Sequence, residues 1–264
     1  MSDNRQPFKV GIIGCGHMGA GIARKLSTRQ QVFLSSRDRE KTKLLAEEIG
    51  AKAVEHLEEL VNKTDMIILA VKPQNLMEVA DLLQGKLREA QSLISILAGT
   101  SVDKLKQTFK ANSVVRMMPN LALLYGEGVI GLAGEDSPET KRNLASIFGC
   151  LGHLHWMSEE KLDALASLTA SGQAFVYVLI EAMVEAGIAM GFPAEEALAL
   201  ILEMMKGSIT QLRESRKHPA ELKWQVASPG GTTIEGLKAL ERGGVRAAIL
   251  EAFLATYDKG KKLS

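Results

Sequence analysis

The chain has 264 residues, 46% hydrophobic and 24% charged, with 32 Lys+Arg against 31 Asp+Glu for a formal net charge of +1. Such a composition fits a soluble globule of one large domain or two modest ones, and a charge so near zero gives no electrostatic reason to expect nucleic acid or an acidic membrane as partner. Cys15 and Cys150 are too few for a disulfide scaffold or a metal cluster, so no metal is expected; the polar opening residues 1–6 lack the apolar stretch of a signal peptide, which makes the cytoplasm the expected compartment.

Residues 8–13 read as a short buried strand that runs into Gly14-Cys15-Gly16-His17-Met18-Gly19, and a helical pattern follows through Ile22, Ala23 and Leu26. Strand, glycine turn and helix form the setting in which GxGxxG binds a dinucleotide. Gly14 permits the turn, Gly16 lets the backbone approach a pyrophosphate, and Gly19 allows the helix to pack closely on the strand. The second strand, 31–34, ends in Ser35-Ser36-Arg37-Asp38-Arg39. An NAD site would put a carboxylate at this strand end for the ribose 2′-hydroxyl; hydroxyls followed by a guanidinium suit a 2′-phosphate instead. NADP(H) is therefore the expected cofactor, with Ser36 and Arg37 at its phosphate and NADH as a weaker donor.

Further strands are expected at 51–54, 66–71, 93–96, 113–118, 128–132 and 153–156, mostly as continuous apolar runs that suit a sheet covered on both faces. The expected fold is α/β: a Rossmann-like doubly wound sheet over residues 1–157, followed by an all-helical domain over 158–264. Ser158 is placed to cap a helix whose first turn carries Glu159 and Glu160 and whose pattern runs to about Met190, a length of about 48 Å. Its middle, 174–180, is apolar on every side. Glu181 and Glu185 follow too soon for a membrane span of about 20 apolar residues, so a helix surrounded by other helices is expected. The rest of this half is too short to surround it, which predicts partner helices from a second subunit. Two more helices are expected near 194–216 and 244–262.

Between them lies Ala227-Ser228-Pro229-Gly230-Gly231-Thr232-Thr233, followed by a helical pattern through Glu241. Pro229 fixes the entry to a turn, the two glycines let it close, and three hydroxyls gather with free backbone N–H groups at a helix start. That arrangement is an anion site as well as a place for ordinary capping.

These segments together resemble the pyrroline-5-carboxylate reductase family over nearly the whole chain. The resemblance is carried by residues 11–19, 69–74, 95–99 and 116–120, by the helix with Tyr177, Glu181 and Gly187, and most specifically by 222–241. It implies NAD(P)H-dependent reduction of 1-pyrroline-5-carboxylate to L-proline, by a homodimer formed through the C-terminal helices and often assembled into a ring of dimers. It further implies that Ser228, Gly230, Gly231 and Thr232 bind the substrate carboxylate. Thr233 would stand at the ring nitrogen, as the residue closest to catalysis. Ala70, Val71, Lys72, Pro73, Ala98 and Asn120 would lie along the cofactor. The sequence departs from the family pattern at Leu121-Ala122, where Thr-Pro is usual, at Thr169 through Ala174, where Ser-Gly-Ser-Gly-Pro-Ala is usual, and at Leu57, where many members have Asn. Two alternatives follow: a reductase of another cyclic imine, or an NADP-binding sensor without turnover. A β-hydroxyacid dehydrogenase would need a lysine base within the long helix, where only Lys161 occurs, at its very start.

Overall fold

The computed structural model describes residues 7–262, so the opening segment 1–6 lies outside the described residues. Strands and helices alternate from the start: β1 (Lys9–Ile13), α1 (His17–Leu26), β2 (Gln31–Ser35), α2 (Arg39–Ile49), β3 (Lys52–Ala53), α3 (Leu57–Lys63), β4 (Met66–Leu69), α4 (Leu76–Leu83), β5 (Ser92–Ser95), α5 (Val102–Phe109) and β6 (Ser113–Met118). They are followed by β7 (Gly128–Gly134), α6 (Pro138–Phe148) and β8 (Gly152–Trp156). The eight strands form one sheet in the order β3-β2-β1-β4-β5-β6-β7-β8. Pairing is parallel from β3 to β6, β7 runs antiparallel to β6, and β8 is parallel to β7.

The apolar runs of the central strands are explained by helices on both faces. Ile12, Ile68 and Ile94 pack with Ile22 and Leu26 of α1 and Phe148 of α6. On the other face Ile67, Leu69 and Leu93 pack with Leu60 and Val61 of α3, Leu83 of α4 and Phe109 of α5. All four residues of β4 are buried, as a strand covered on both sides requires. The chain passes from β1 to β2 and β3 on one side, then crosses to β4, β5 and β6 on the other. Such a reversal opens a crevice at the carboxyl ends of the strands.

Beyond β8 the chain is helical: α7 (Glu160–Leu165), a π turn over Ala166–Ser171, α8 (Gly172–Ala189), α9 (Ala194–Ser215), α10 (Pro219–Val226), α11 (Thr232–Arg242) and α12 (Val245–Lys261). Ser158 does not cap α7 with its side chain. The N-cap is Glu159, itself in a helical conformation, and its carboxylate is turned elsewhere. By internal contacts the chain divides into residues 1–170 with 259–264 and residues 171–258. Within the first unit α7 packs on β7: Leu162 and Leu165 fill the space over Gly131, where any Cβ would collide with them.

Within the second unit α8 and α9 approach closely at Gly187, where an added Cβ would lie 2.8 Å from that of Ala197, and Phe175 meets Phe253 edge to face with centroids 5.0 Å apart. Of residues 171–258 only Gly172, Gly187 and Ala197 are buried. Tyr177, Val178, Ile188, Leu200, Leu202 and Leu254 are exposed. The continuous helix Glu160–Ala189 is long and apolar enough to cross a membrane by length and composition. A unit of this size with so little core lacks the burial that folding requires unless something covers these faces.

Candidate active site

The glycine turn after β1 is held from both sides. Gly14 N–H donates to the Ser35 carbonyl at 2.8 Å, and Ala70 N–H donates to the Ile13 carbonyl at 2.8 Å. Gly14 sits at φ +106°, and a Cβ there would strike the Ala70 carbonyl, so only glycine serves. Helix α1 starts at Gly16 with no side-chain cap and no acid in its first turn. Its first intrahelical bond runs from Ala20 N–H to the Gly16 carbonyl, at 2.8 Å. The N–H groups of His17, Met18 and Gly19 therefore have no intrahelical acceptor, and they carry the positive end of the helix dipole. A Cβ built on Gly16 meets nothing within 4 Å, so the turn is open on that side. The cradle fits a pyrophosphate.

A cleft of ≈ 770 Å³ runs from this turn and joins Gly14, Cys15, Gly16, Ser36, Arg37, Ala70, Val71 and Lys72, all singled out from the sequence. Gly19 is buried beneath the turn, while His17 and Met18 stand in the first turn of α1. Pro73 opens a short 3-10 turn after β4, and Ala98 is exposed beyond the end of β5; neither lines the cleft.

At the β2 end of the cleft the charges sort themselves. Asp38 is the N-cap of α2, its Oδ1 accepting from Lys41 N–H at 3.1 Å, which accounts for a carboxylate placed later than a ribose ligand would be. Arg39 and Lys43 both reach Glu55, at 3.4 and 3.2 Å. Arg37 and Lys41 line the same cleft with no acidic partner among the described residues. Ser36 Oγ and Thr42 Oγ1 lie 2.7 Å apart, and each is within bonding distance of the Asp38 carbonyl. Ser36 and Thr42 thus brace the turn at the Asp38 carbonyl, and Arg37 and Lys41 stand in the same cleft. Lys41 was not singled out from the sequence; its signal is its place in the first turn of α2, four residues after Arg37. Burial raises the Cys15 thiol above its ordinary range, opposed by hydrogen bonds from Thr42 and Ser36 and by the charge of Lys41. Leu57 also lines this end.

The glycine loop near the C-terminus leads into α11. Gly231 is the N-cap and has no side-chain capping bond; its N–H donates to the Ser228 carbonyl at 3.1 Å. Gly230 takes φ +68°, and a Cβ on Gly231 would run into Ser228 Oγ. None of the hydroxyls of Ser228, Thr232 and Thr233 is used in a hydrogen bond among the described residues. Three uncommitted hydroxyls thus stand in the turn and first residues of a helix whose first N–H groups have no intrahelical acceptors.

Asn120, expected along the cofactor, does not line the cleft. It is 4% exposed, its Nδ2 donates to the Thr169 carbonyl at 2.9 Å, and its Oδ1 accepts from Val129 N–H at 3.1 Å. The amide ties the end of β6 to β7 and to the π turn.

The family described as pyrroline-5-carboxylate reductase dimerisation matches residues 159–263, and the one described as NADP oxidoreductase, coenzyme F420-dependent, matches residues 9–99. The pyrroline-5-carboxylate reductase of Arabidopsis thaliana is 33% identical over 272 residues, which cover 98% of this chain and 96% of that one. The chain belongs to the pyrroline-5-carboxylate reductase family. Solved structures from that family agree in fold. The 1-pyrroline-5-carboxylate reductase of Streptococcus pyogenes matches with a TM-score of 0.87 at 30% identity, covering 97% of this chain and 99% of that one. The Plasmodium falciparum pyrroline carboxylate reductase, solved with NADP bound, matches with a TM-score of 0.86 at 28% identity over 97% of this chain and 98% of that one.

Proposed function

We propose that this member of the family reduces the C=N bond of 1-pyrroline-5-carboxylate to L-proline, with NADPH as the preferred donor and NADH as a weaker one. The observation that carries the reading is the start of α11, whose hydroxyls and N–H groups are uncommitted and suit a small carboxylate. When bound, the dihydronicotinamide supplies a hydride to the imine carbon. The protein's own work is to orient, to exclude water and to favour the protonated imine, so no acid–base pair is needed. Ser228, Gly230, Gly231 and Thr232 hold the carboxylate, and the Thr233 hydroxyl accepts from the protonated ring nitrogen. That contact strengthens the iminium form, whose carbon is the better hydride acceptor.

Gly14 through Gly19 hold the pyrophosphate, Arg37 and Lys41 hold the 2′-phosphate with Ser36 fixing their turn, and Ala70, Val71, Lys72, Pro73 and Ala98 follow the cofactor along the strand ends. Residues 1–157 carry this site, and residues 158–264 dimerise and bind substrate. The exposed apolar faces of α8 and α9 and the dimerisation family matched at 159–263 support a homodimer, which we extend to a ring of dimers. A soluble cofactor and an amino-acid product fit a cytoplasmic location.

The reading is tested with NADPH deuterated at the reactive C4 position and 1-pyrroline-5-carboxylate. The expected product is L-proline carrying one deuterium on the ring carbon that was the imine carbon. Unlabelled proline, or none, contradicts it.

A further inference from the structure

The loop from β5 to α5 is fixed by a residue from a distant part of the chain. Glu159 Oε1 accepts from Val102 N–H at 2.8 Å and from Arg116 Nη1 at 2.7 Å. Val102 is the first residue of α5, so this carboxylate occupies one of the orphan donors of that helix start; the N-cap Ser101 takes another, its Oγ accepting from Lys104 N–H at 3.2 Å. Arg116 comes from β6, in register with Ser95 at the end of β5. Its side chain is 6% exposed, and its Nη2 lies 3.7 Å from Asp163 Oδ1 without a hydrogen bond. A buried guanidinium between two carboxylates of the α7 region thus holds Glu159 against the start of α5.

The loop so held is Ile96 through Ser101. Its start is braced by Ile96 N–H on the Leu69 carbonyl, at 3.1 Å, and by Leu97 N–H on Ser95 Oγ, at 3.3 Å. Gly99 turns it at φ +67°. Topology tells what lies beside this loop. The pyrophosphate cradle is at the end of β1, and the free cations that mark the adenosine end are at β2. The other half of a dinucleotide must extend the opposite way, over the ends of β4 and then β5.

We propose that Glu159, held by Arg116, is a positioning residue for the nicotinamide half of the cofactor: it caps α5 and so sets the backbone of Ala98 and Gly99 where the reactive ring lies. This rests on the cofactor reading given above. The capping bond joins residues 57 positions apart, so the chain segment that opens the helical half of the protein also sets a wall of the cofactor site.

The two halves of the cofactor separate the outcomes. Full-length wild type, Glu159→Ala, Glu159→Gln and Arg116→Lys are compared well below their melting temperatures. Calorimetry measures 2′,5′-ADP affinity, NADPH fluorescence measures cofactor affinity, and kcat is taken with 1-pyrroline-5-carboxylate. Glu159→Ala is expected to leave 2′,5′-ADP within about twofold of wild type while weakening NADPH about fivefold and lowering kcat about tenfold. Glu159→Gln, which keeps an acceptor for Val102 N–H, is expected to recover most of both losses. Arg116→Lys provides the same comparison should Glu159→Ala not fold. Equal weakening of 2′,5′-ADP and NADPH overturns the assignment, as does a lower melting temperature with affinities and kcat unchanged. Wild type that fails to bind 2′,5′-ADP overturns the cofactor reading itself and the clamp's role with it.

Discussion

At the scale of single residues, the proposed substrate and cofactor contacts fall into two groups of side chains. Thr233→Ala removes one hydroxyl from the α11 turn and leaves every residue of the glycine-rich cleft unchanged. A hydrogen bond to a charged partner contributes about 1.5–3 kcal/mol, so turnover is expected to fall about 10- to 100-fold while NADPH affinity measured by fluorescence stays nearly constant. Parallel loss of both would remove Thr233 from its assigned role. At the other end, Arg37→Asp and Lys41→Ala are each expected to weaken NADPH far more than NADH, by about tenfold in the ratio of kcat/KM, because only the phosphate feels those cations. An unchanged ratio in both variants places the 2′-phosphate elsewhere. Gly14, Gly16 and the Ser228–Thr233 turn were legible in the sequence because each acts within a few residues of chain. Lys41 and the commitments of Ser36 and Asn120 were not, since they depend on which neighbours have already taken a proton or a lone pair. Arg116 and Glu159 are 43 positions apart, and no local pattern joins them.

At the scale of elements, the caps and close crossings carry measurable energy. Asp38 caps α2 through Lys41 N–H, so Asp38→Ala is expected to lower stability by about 0.5–2 kcal/mol in urea unfolding, with no change in the 2′-phosphate preference. Gly187→Leu is expected to destabilise by about 1–3 kcal/mol or to abolish assembly, because even a Cβ there presses on Ala197. The strands were readable as apolar runs because helices cover both faces of the sheet, and α9 and α12 as long periodic patterns. Helix α10 was missed for a physical reason: Leu222, Trp224 and Val226 alternate as they would in a strand, and only Pro219 and the His218 cap mark a helix start. The π turn in the long helix was equally hidden, since the Asn120 amide that binds its Thr169 carbonyl comes from the end of β6.

At the scale of the whole molecule, the contrast between a closed sheet core and a helical unit with three buried residues points beyond one chain. Sedimentation is expected to give a dimer or a multiple of it, and Val178→Asp, on an exposed apolar stretch of α8, is expected to shift it toward monomer with loss of stability. A stable wild-type monomer would leave those apolar faces unexplained. What the assembled molecule does is read from nicotinamide absorbance followed with 1-pyrroline-5-carboxylate, NADPH and NADH side by side. Rapid oxidation that favours NADPH is the expected result. Tight NADPH binding with neither cofactor oxidised would contradict it and turn attention to Leu121, Ala122 and Gln173, where this chain leaves the family pattern.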